Sequence, residues 1–255
     1  MPGETVVLVS GPGGRIRSFV DALARFPAEP QWAVVGGFAV YVRITNVHRV
    51  TNDLDTVSRN QPSLVEILVA EPDADRLATA KLQLNQSGGA VVVDVMADTA
   101  DEPLPTEPGE RAFALARRMA LASSESTELV VVEDEAVAAR TTVPIAAASS
   151  LIALKAVAIP HRSQSNHPEK VGSDIHDLVR LVQICDFYET VAAITKASAE
   201  LRDWVGTTLI RWFSPDEDLR YTFARLRRLT SSPDAATLTE NDLAIVAQLG
   251  HLLQK

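Results

Sequence analysis

Two aspartates separated by one residue, Asp53 and Asp55, are the side chains of this sequence best suited to catalysis. They lie in residues 50–58, which we predict to form a β-strand. Side chains alternate faces along a strand, so both carboxylates point the same way, opposite to Leu54 and Thr56. Such like charges must be solvated or neutralised, and Mg²⁺ prefers oxygen ligands. The pair indicates metal-dependent phosphoryl or nucleotidyl transfer; the alternative is a solvated pair on an edge strand.

A third carboxylate, Asp94, stands alone in the apolar segment AVVVDVM at residues 90–96. The segment predicts a strand, and a lone carboxylate there is costly to bury unless it is paired or bound to metal. We therefore expect Asp94 to share a metal with Asp53 and Asp55 and to accept the proton of the attacking hydroxyl. The alternative is that Asp94 lies at an exposed strand end.

Two further features could handle phosphate. Gly36 and Gly37 follow a short apolar strand, and glycine lets backbone N–H groups approach a phosphate closely. Lys155 is a cation in an otherwise apolar helical segment and could neutralise charge on departing pyrophosphate. Asp174 or Asp177 could hold that lysine. The alternatives are that Lys155 reaches solvent along a half-exposed helix and that Asp177 is a first-turn acid favoured by the helix dipole.

The elements that position these residues change in character along the chain. Strands are predicted at 5–10, 34–35, 50–58, 90–96, 129–132 and 136–142, and short helices at 16–26, 38–44 and 111–122. Residues 63–84 mix apolar and charged side chains, which favours one or two helices outside the sheet. Pro144 marks a break, and five or six helices are expected after it, the first ending at Pro160.

Whole-chain composition restricts the class of protein. The 255 residues carry a net charge of -9, so any contact with nucleic acid requires a local basic patch. A single cysteine excludes an internal disulfide. The sequence shows neither a signal peptide nor an apolar run long enough for a bilayer, so we expect a soluble, cytoplasmic protein without membrane contact. One set of arginines forms either a solvated face or a surface for an RNA backbone: Arg202, Arg211, Arg220, Arg225, Arg227 and Arg228. A second set could suggest zinc, but its spacing matches no standard site and favours a polar loop: His161, His167, Asp174 and His176.

The motifs together resemble the nucleotidyltransferase toxins of the AbiEii type, which are the toxin halves of bacterial toxin–antitoxin pairs. The resemblance covers about residues 34–178, within the polymerase-beta-like nucleotidyltransferase superfamily. It rests on these residues: Gly36-Gly37, His48-Arg49-x-Thr51-x-Asp53-Leu54-Asp55, Lys155, and Lys170-x-x-x-Asp174-x-x-Asp177-Leu178. Two positions depart from the pattern, because Phe38 replaces a small polar residue and Ser173 replaces a basic one.

The resemblance implies an α/β (α+β) fold with a mixed-sheet nucleotidyltransferase lobe at 1–145 and a mostly helical lobe at 146–255. It implies transfer of a nucleoside monophosphate from an NTP to a hydroxyl, with RNA, in particular a tRNA 3′ end, as acceptor and with an antitoxin as partner. Arg49 is expected to contact phosphate or the metal-binding strand, and Thr51 joins Gly36, Gly37 and Lys155 in the predicted nucleotide-binding set. The alternatives are a nucleotidyltransferase with a small-molecule acceptor, as in antibiotic resistance, and a decayed nucleotide-binding protein.

Overall fold

The structure is a computed structural model that describes residues 4–10, 14–45, 51–86, 88–98, 100–163, 168–214, 219–229, 232 and 235–255. These residues group into two compact units. The first contains the described residues of Met1–Asn46, Thr51–Asp101 and Ala120–Ala147. The second contains those of Glu102–Met119 and Ala148–Lys255. We call them the sheet unit and the helical unit.

A mixed β-sheet forms the first unit. Its strands in the described residues are β1 (Glu4–Val9), β2 (Trp32–Val35), β3 (Asp53–Ser58), β4 (Ala74–Ala78), β5 (Lys81–Leu84), β6 (Val91–Ala97), β7 (Glu125–Glu133) and β8 (Ala136–Ile145). They lie in the order β1-β7-β8-β2-β3-β6-β5-β4. The pairs β1–β7, β2–β8 and β3–β6 are parallel and the other neighbours antiparallel. The mixed sheet confirms the predicted fold class.

Helices accompany the sheet and form most of the second unit. The sheet unit contains α1 (Arg15–Leu23), α2 (Gly36–Ile44) and α3 (Gln61–Val69). The later helices are α4 (Pro108–Ala122), α5 (Ala148–Ser163), α6 (Pro168–Ile184), α7 (Phe187–Ala197), α8 (Ala199–Phe213), α9 (Leu219–Leu226) and α10 (Glu240–Leu253), with a 3-10 turn at Ala235–Thr237. Six α-helices therefore follow β8 within the described ranges, in agreement with the five or six predicted.

Alternating burial explains why the two central strands can carry polar groups. In β6, Val91, Val93 and Val95 are buried, whereas Asp94 on the opposite face is half-buried. In β3, Leu54 is fully buried between two half-buried aspartates. Each strand thus directs one face to the core and presents the other, which bears the carboxylates, to partial solvent.

The segment that follows α3 differs from its predicted helical structure. Only residues 61–69 form a helix there, and β4 and β5 form an antiparallel hairpin that extends the sheet beyond β6. The physical reason is the alternation in β5, where Leu82 and Leu84 are fully buried while Lys81 and Gln83 are half-buried. Such a period of two requires a strand, and the many helix-favouring residues of the segment obscured it.

Three predicted boundaries were wrong. Pro144 does not break the chain, because it lies inside β8 opposite Ser126. Pro160 does not end α5, which continues to Ser163. The helix after β2 begins at Gly36 rather than at Phe38, so the glycine pair forms the first turn of α2.

Close packing of α8 against α10 stabilises the helical unit. A Cβ atom at Gly250 would lie 2.9 Å from Leu209 Cβ and 3.1 Å from the Gly206 carbonyl oxygen. The absence of side chains at both glycines allows the two helices to cross at short distance. Across the described ranges, the helices are too short or too polar to cross a membrane.

Candidate active site

The parallel pairing of β3 with β6 brings three carboxylates together. Asp55 pairs with Asp94 in the register of the two strands, and Asp53 lies two residues before Asp55 on the same face. One oxygen from each of the three side chains lies within 4.8 Å of the others, and all three residues are half-buried. We call Asp53, Asp55 and Asp94 the acidic trio. The fold thus brings Asp53 and Asp55 together with Asp94, as the sequence predicted.

Hydrogen bonding and burial on the opposite face fix the register of these strands. The hydroxyl of Thr56 donates to the Asp94 carbonyl oxygen at 3.2 Å, which links β3 to β6. Thr56 and Leu54 are both fully buried. A slip of one residue would place the carboxylates in the core, so the buried side chains also determine where the trio lies.

Gly36 lies directly beside the acidic trio. β2 is antiparallel to β3 and Val35 pairs with Asp55, so the chain turns into α2 directly beside that carboxylate. Gly36 has φ +67°, and a Cβ atom there would lie 1.9 Å from Asp55 Oδ2. Val35, the residue before the helix, has no side-chain acceptor for the first N–H groups of α2. A helix N-terminus, which favours anions, therefore begins next to the acidic trio.

A lysine that the sequence analysis missed also contacts the trio. Lys81 of β5 pairs with Asp94 of β6, and its Nζ lies 3.0 Å from Asp94 Oδ2. The hydrogen bond to Asp94 raises the pKa of Lys81, burial opposes this, and the charges of Asp94, Asp53 and Asp55 raise the pKa further. Lys81 is therefore a cation at neutral pH. The signal that could have revealed it was the alternation of Lys81, Leu82, Gln83 and Leu84.

The donor chemistry of the trio fits a hard divalent cation. Three carboxylates supply oxygen ligands, which Mg²⁺ prefers over nitrogen or sulfur. Among the described residues, a search for three or more carboxylate, histidine or cysteine side chains close enough to share one ion finds the acidic trio. Mutual repulsion of three half-buried carboxylates also requires positive charge nearby, which Lys81 supplies only in part.

In the helical unit, a second charged cluster forms between α5 and α6. Lys155 Nζ lies 2.8 Å from Asp174 Oδ1 and 2.7 Å from Asp177 Oδ2. Arg162 Nη1 donates to the other oxygen of Asp174 at 2.5 Å. Asp174 and Asp177 are three residues apart and therefore share one face of α6. Lys155 and Arg162 are seven residues apart, or two helical turns, and share one face of α5. The structure thus brings Lys155, Asp174 and Asp177 together, and Arg162 is a member that the sequence analysis missed.

Burial decides between the interpretations of this cluster. Lys155 is 7% exposed, Asp174 1% and Asp177 0%. Lys155 therefore does not reach solvent along a half-exposed helix. Asp177 lies in the middle of α6, which begins at Pro168, so it is not a first-turn acid. A buried lysine beside two buried carboxylates is a network in which each charge depends on its partners.

The other candidate residues lie on adjoining segments or outside the described residues. Thr51 is half-buried just before β3, whereas Arg49 lies outside the described ranges. Lys170 is exposed, and its carbonyl oxygen accepts a hydrogen bond from Ser173 at 2.9 Å. The zinc interpretation finds no support among the described residues, because Asp174 binds Lys155 and Arg162 while buried His176 lies near Ser232.

Comparison with known protein families identifies the chain. The family model described as nucleotidyl transferase AbiEii toxin of a type IV toxin–antitoxin system matches residues 18–244. The chain belongs to this family. Its class as a nucleotidyltransferase, predicted from the motifs around Asp53 and Lys155, is thereby confirmed. Membership in the AbiEii family also implies a nucleotide substrate and an antitoxin partner.

Structure comparison of this AbiEii chain finds solved proteins at low identity and with TM-scores below 0.5. An antigenic nucleotidyltransferase-like protein from Paracoccidioides brasiliensis is 16% identical to this chain, with a TM-score of 0.43. The match covers 74% of this chain and 91% of that protein's chain. JHP933 from Helicobacter pylori is 11% identical with a TM-score of 0.44, covering 94% and 92%. Among curated proteins, none matches this sequence.

Proposed function

We propose that this AbiEii-family protein transfers a nucleoside monophosphate from an NTP to a hydroxyl of RNA, the 3′ end of a tRNA, in a reaction that requires Mg²⁺. The observation that supports this most strongly is the convergence of Asp53, Asp55 and Asp94 beside the glycine that begins α2. The reaction forms a bond between the acceptor oxygen and the α-phosphorus and breaks the bond to the β-phosphate. The hydroxyl proton leaves to a base, and pyrophosphate is released.

Asp53, Asp55 and Asp94 would hold the metal through carboxylate oxygens. When bound, Mg²⁺ would neutralise negative charge on the triphosphate and favour deprotonation of the acceptor hydroxyl. Gly36 and Gly37 bind phosphate through the N–H groups at the start of α2, because glycine has no side chain to keep a phosphate away from the backbone.

Proton transfer is assigned to Asp94. Its carboxylate is half-buried and belongs to the acidic trio, where the acceptor hydroxyl would lie in the proposed reaction. Thr51 and Arg49 complete the proposed nucleotide-binding set. Each of these roles can be tested separately by conservative substitution.

Lys155 is proposed to neutralise charge on the departing pyrophosphate, with Asp174 and Asp177 as the residues that position its ammonium. The two short contacts restrict the lysine to one arrangement, which is the property needed for electrostatic catalysis without reorganisation. Arg162 holds the second oxygen of Asp174 and so supports the same arrangement.

An RNA acceptor is supported by arginines of the helical unit. Arg220, Arg227 and Arg228 are exposed in and after α9, although the whole chain carries a charge of -9. A local set of this kind can contact a phosphate backbone in an otherwise acidic protein. With NTP and tRNA as substrates, the proposed place of action is the cytoplasm.

The test is a transfer assay. Purified protein is incubated with Mg²⁺, total tRNA and each α-labelled NTP in turn, and the expected result is label at the tRNA 3′ end with release of pyrophosphate. A parallel reaction replaces tRNA with cationic small molecules such as aminoglycosides. Label in the small molecule but not in RNA would contradict the proposed acceptor. Failure to label any acceptor, with NTP still bound, would contradict turnover and favour a nucleotide-binding protein.

A further inference from the structure

Lys81 has a position that the proposed transfer reaction does not require. It lies on β5, directly opposite Asp94 on β6, and its Nζ is 3.0 Å from Asp94 Oδ2. Its ammonium also interacts with the charges of Asp53 and Asp55. One cation from the adjacent strand thus faces all three carboxylates of the acidic trio.

Charge arithmetic shows what this lysine does to the trio. Three ionised carboxylates carry a charge of -3, and Lys81 brings the four groups to -2. A divalent cation at the trio requires carboxylate oxygens, and one oxygen of Asp94 is already bound to Lys81. The ammonium and the ion carry like charges, so each weakens the binding of the other at this distance.

Surface stabilisation alone does not explain the contact. The side chains of Lys81 and Asp94 are 39% and 30% exposed, and isolated pairs of this exposure contribute little to stability. On the neighbouring strand β4, Arg76 has a similar exposure, 37%, and pairs with Glu66 of α3 at 2.6 Å. That pair is an ordinary surface pair, whereas Lys81 faces a proposed metal site.

We propose that Lys81 is a built-in counter-cation of the acidic trio, which competes with a divalent ion for Asp94 and so weakens binding of the ion in the absence of nucleotide. The ion is then loaded mainly together with its NTP, whose phosphates supply the missing negative ligands. This inference rests on the proposed metal site. Lys81 is a positioning residue, because it acts through Asp94.

Titration of Mn²⁺ into nucleotide-free protein, followed by electron paramagnetic resonance of the unbound ion, tests the inference without relying on activity. Lys81→Met should bind Mn²⁺ about tenfold more tightly than wild type because a neighbouring positive charge is removed. Lys81→Arg, which keeps the charge, should stay within about twofold of wild type. Arg76→Gln removes a cation of similar exposure from the adjacent strand and should leave the affinity for Mn²⁺ unchanged. If Lys81→Met folds poorly, Lys81→Gln replaces it.

A second readout separates this role from a structural one. In EDTA the melting temperature of Lys81→Met should fall below that of wild type, and saturating Mn²⁺ should raise it by more than it raises wild type. Equal Mn²⁺ affinity in all four proteins, or weaker binding by Lys81→Met, would overturn the competition while leaving the metal site in place. Absence of Mn²⁺ binding in wild type and Lys81→Met alike would overturn the metal site and this inference with it.

Discussion

Gly36 and Asp55 contact each other so closely that position 36 has no room for a side chain. A Cβ atom there would lie 1.9 Å from Asp55 Oδ2 and 2.6 Å from Asp55 Cβ. The backbone at Gly36 also has φ +67°, which residues other than glycine rarely adopt. The turn from β2 into α2 and the position of a central carboxylate are therefore one structural feature.

Replacement of Gly36 by alanine should displace Asp55 and abolish nucleotidyl transfer, at a cost of about 1–3 kcal/mol in the free energy of unfolding. Gly89→Ala is the matched control. Gly89 also has a positive φ, +120°, but a Cβ atom there would meet nothing within 4 Å. The Gly89→Ala variant should lose stability through backbone strain alone and keep its transfer activity. Activity of Gly36→Ala equal to that of Gly89→Ala would contradict the role of the close contact.

Removal of the buried ammonium of Lys155 should destabilise the helical unit. Lys155→Met removes the ammonium that Asp174 and Asp177 share and leaves both carboxylates buried, which should reduce the free energy of unfolding by about 3–5 kcal/mol. Urea denaturation at pH 7 measures the change. Lys170→Met, at an exposed position of α6, is the control and should change stability by less than about 0.5 kcal/mol. A similarly small change for Lys155→Met would show that the network is not coupled to folding.

The start of α10 should make part of the stability dependent on pH. Asp242 Oδ2 accepts hydrogen bonds from the backbone N–H and the hydroxyl of Thr239, both at 2.7 Å. The backbone hydrogen bond, followed by that of the hydroxyl, lowers the pKa of Asp242 below its ordinary value. The carboxylate therefore contributes stability above its unfolded pKa, and that contribution is lost as pH falls through the lower folded value.

Asp242→Asn should accordingly be less stable than wild type at pH 7, and the difference should shrink on acidification below about pH 4. Thr239→Ala removes the N-cap itself and should cost about 1 kcal/mol. Thermal melts from pH 2.5 to 7 measure both. A difference between Asp242→Asn and wild type that does not vary with pH would contradict the contribution of the ionised carboxylate.

Local patterns in the sequence predicted much of the fold and of the acidic trio. The spacing of Asp53 and Asp55 predicted that both share a face, since that depends only on the period of a strand. The opposition of Asp55 and Asp94 depends on the parallel pairing of β3 with β6, which joins segments almost forty residues apart. A lone aspartate in an apolar run indicated that Asp94 needed a partner or a metal and so suggested that it joins Asp53 and Asp55, but it did not predict the register that places Asp94 opposite Asp55.

Lys81 was missed because its position also depends on strand pairing, here of a segment that was predicted to be helical. The segment around Arg76 and Leu77 favours a helix by residue type, and only pairing with β6 makes residues 81–84 a strand. Arg162 was missed because its importance comes from Asp174, which lies on another helix. Long-range pairing, rather than local propensity, therefore completes both charged clusters.

The most direct test of the account compares label transfer by wild type and Asp55→Asn, both supplied with saturating NTP, Mg²⁺ and tRNA. The amide keeps the shape of the side chain beside Gly36 but lacks the charge that a metal ligand needs. We predict that the initial rate falls by at least about a hundredfold while circular dichroism and melting temperature show a folded protein. A rate within about twofold of wild type would contradict the assignment of the acidic trio as the catalytic centre.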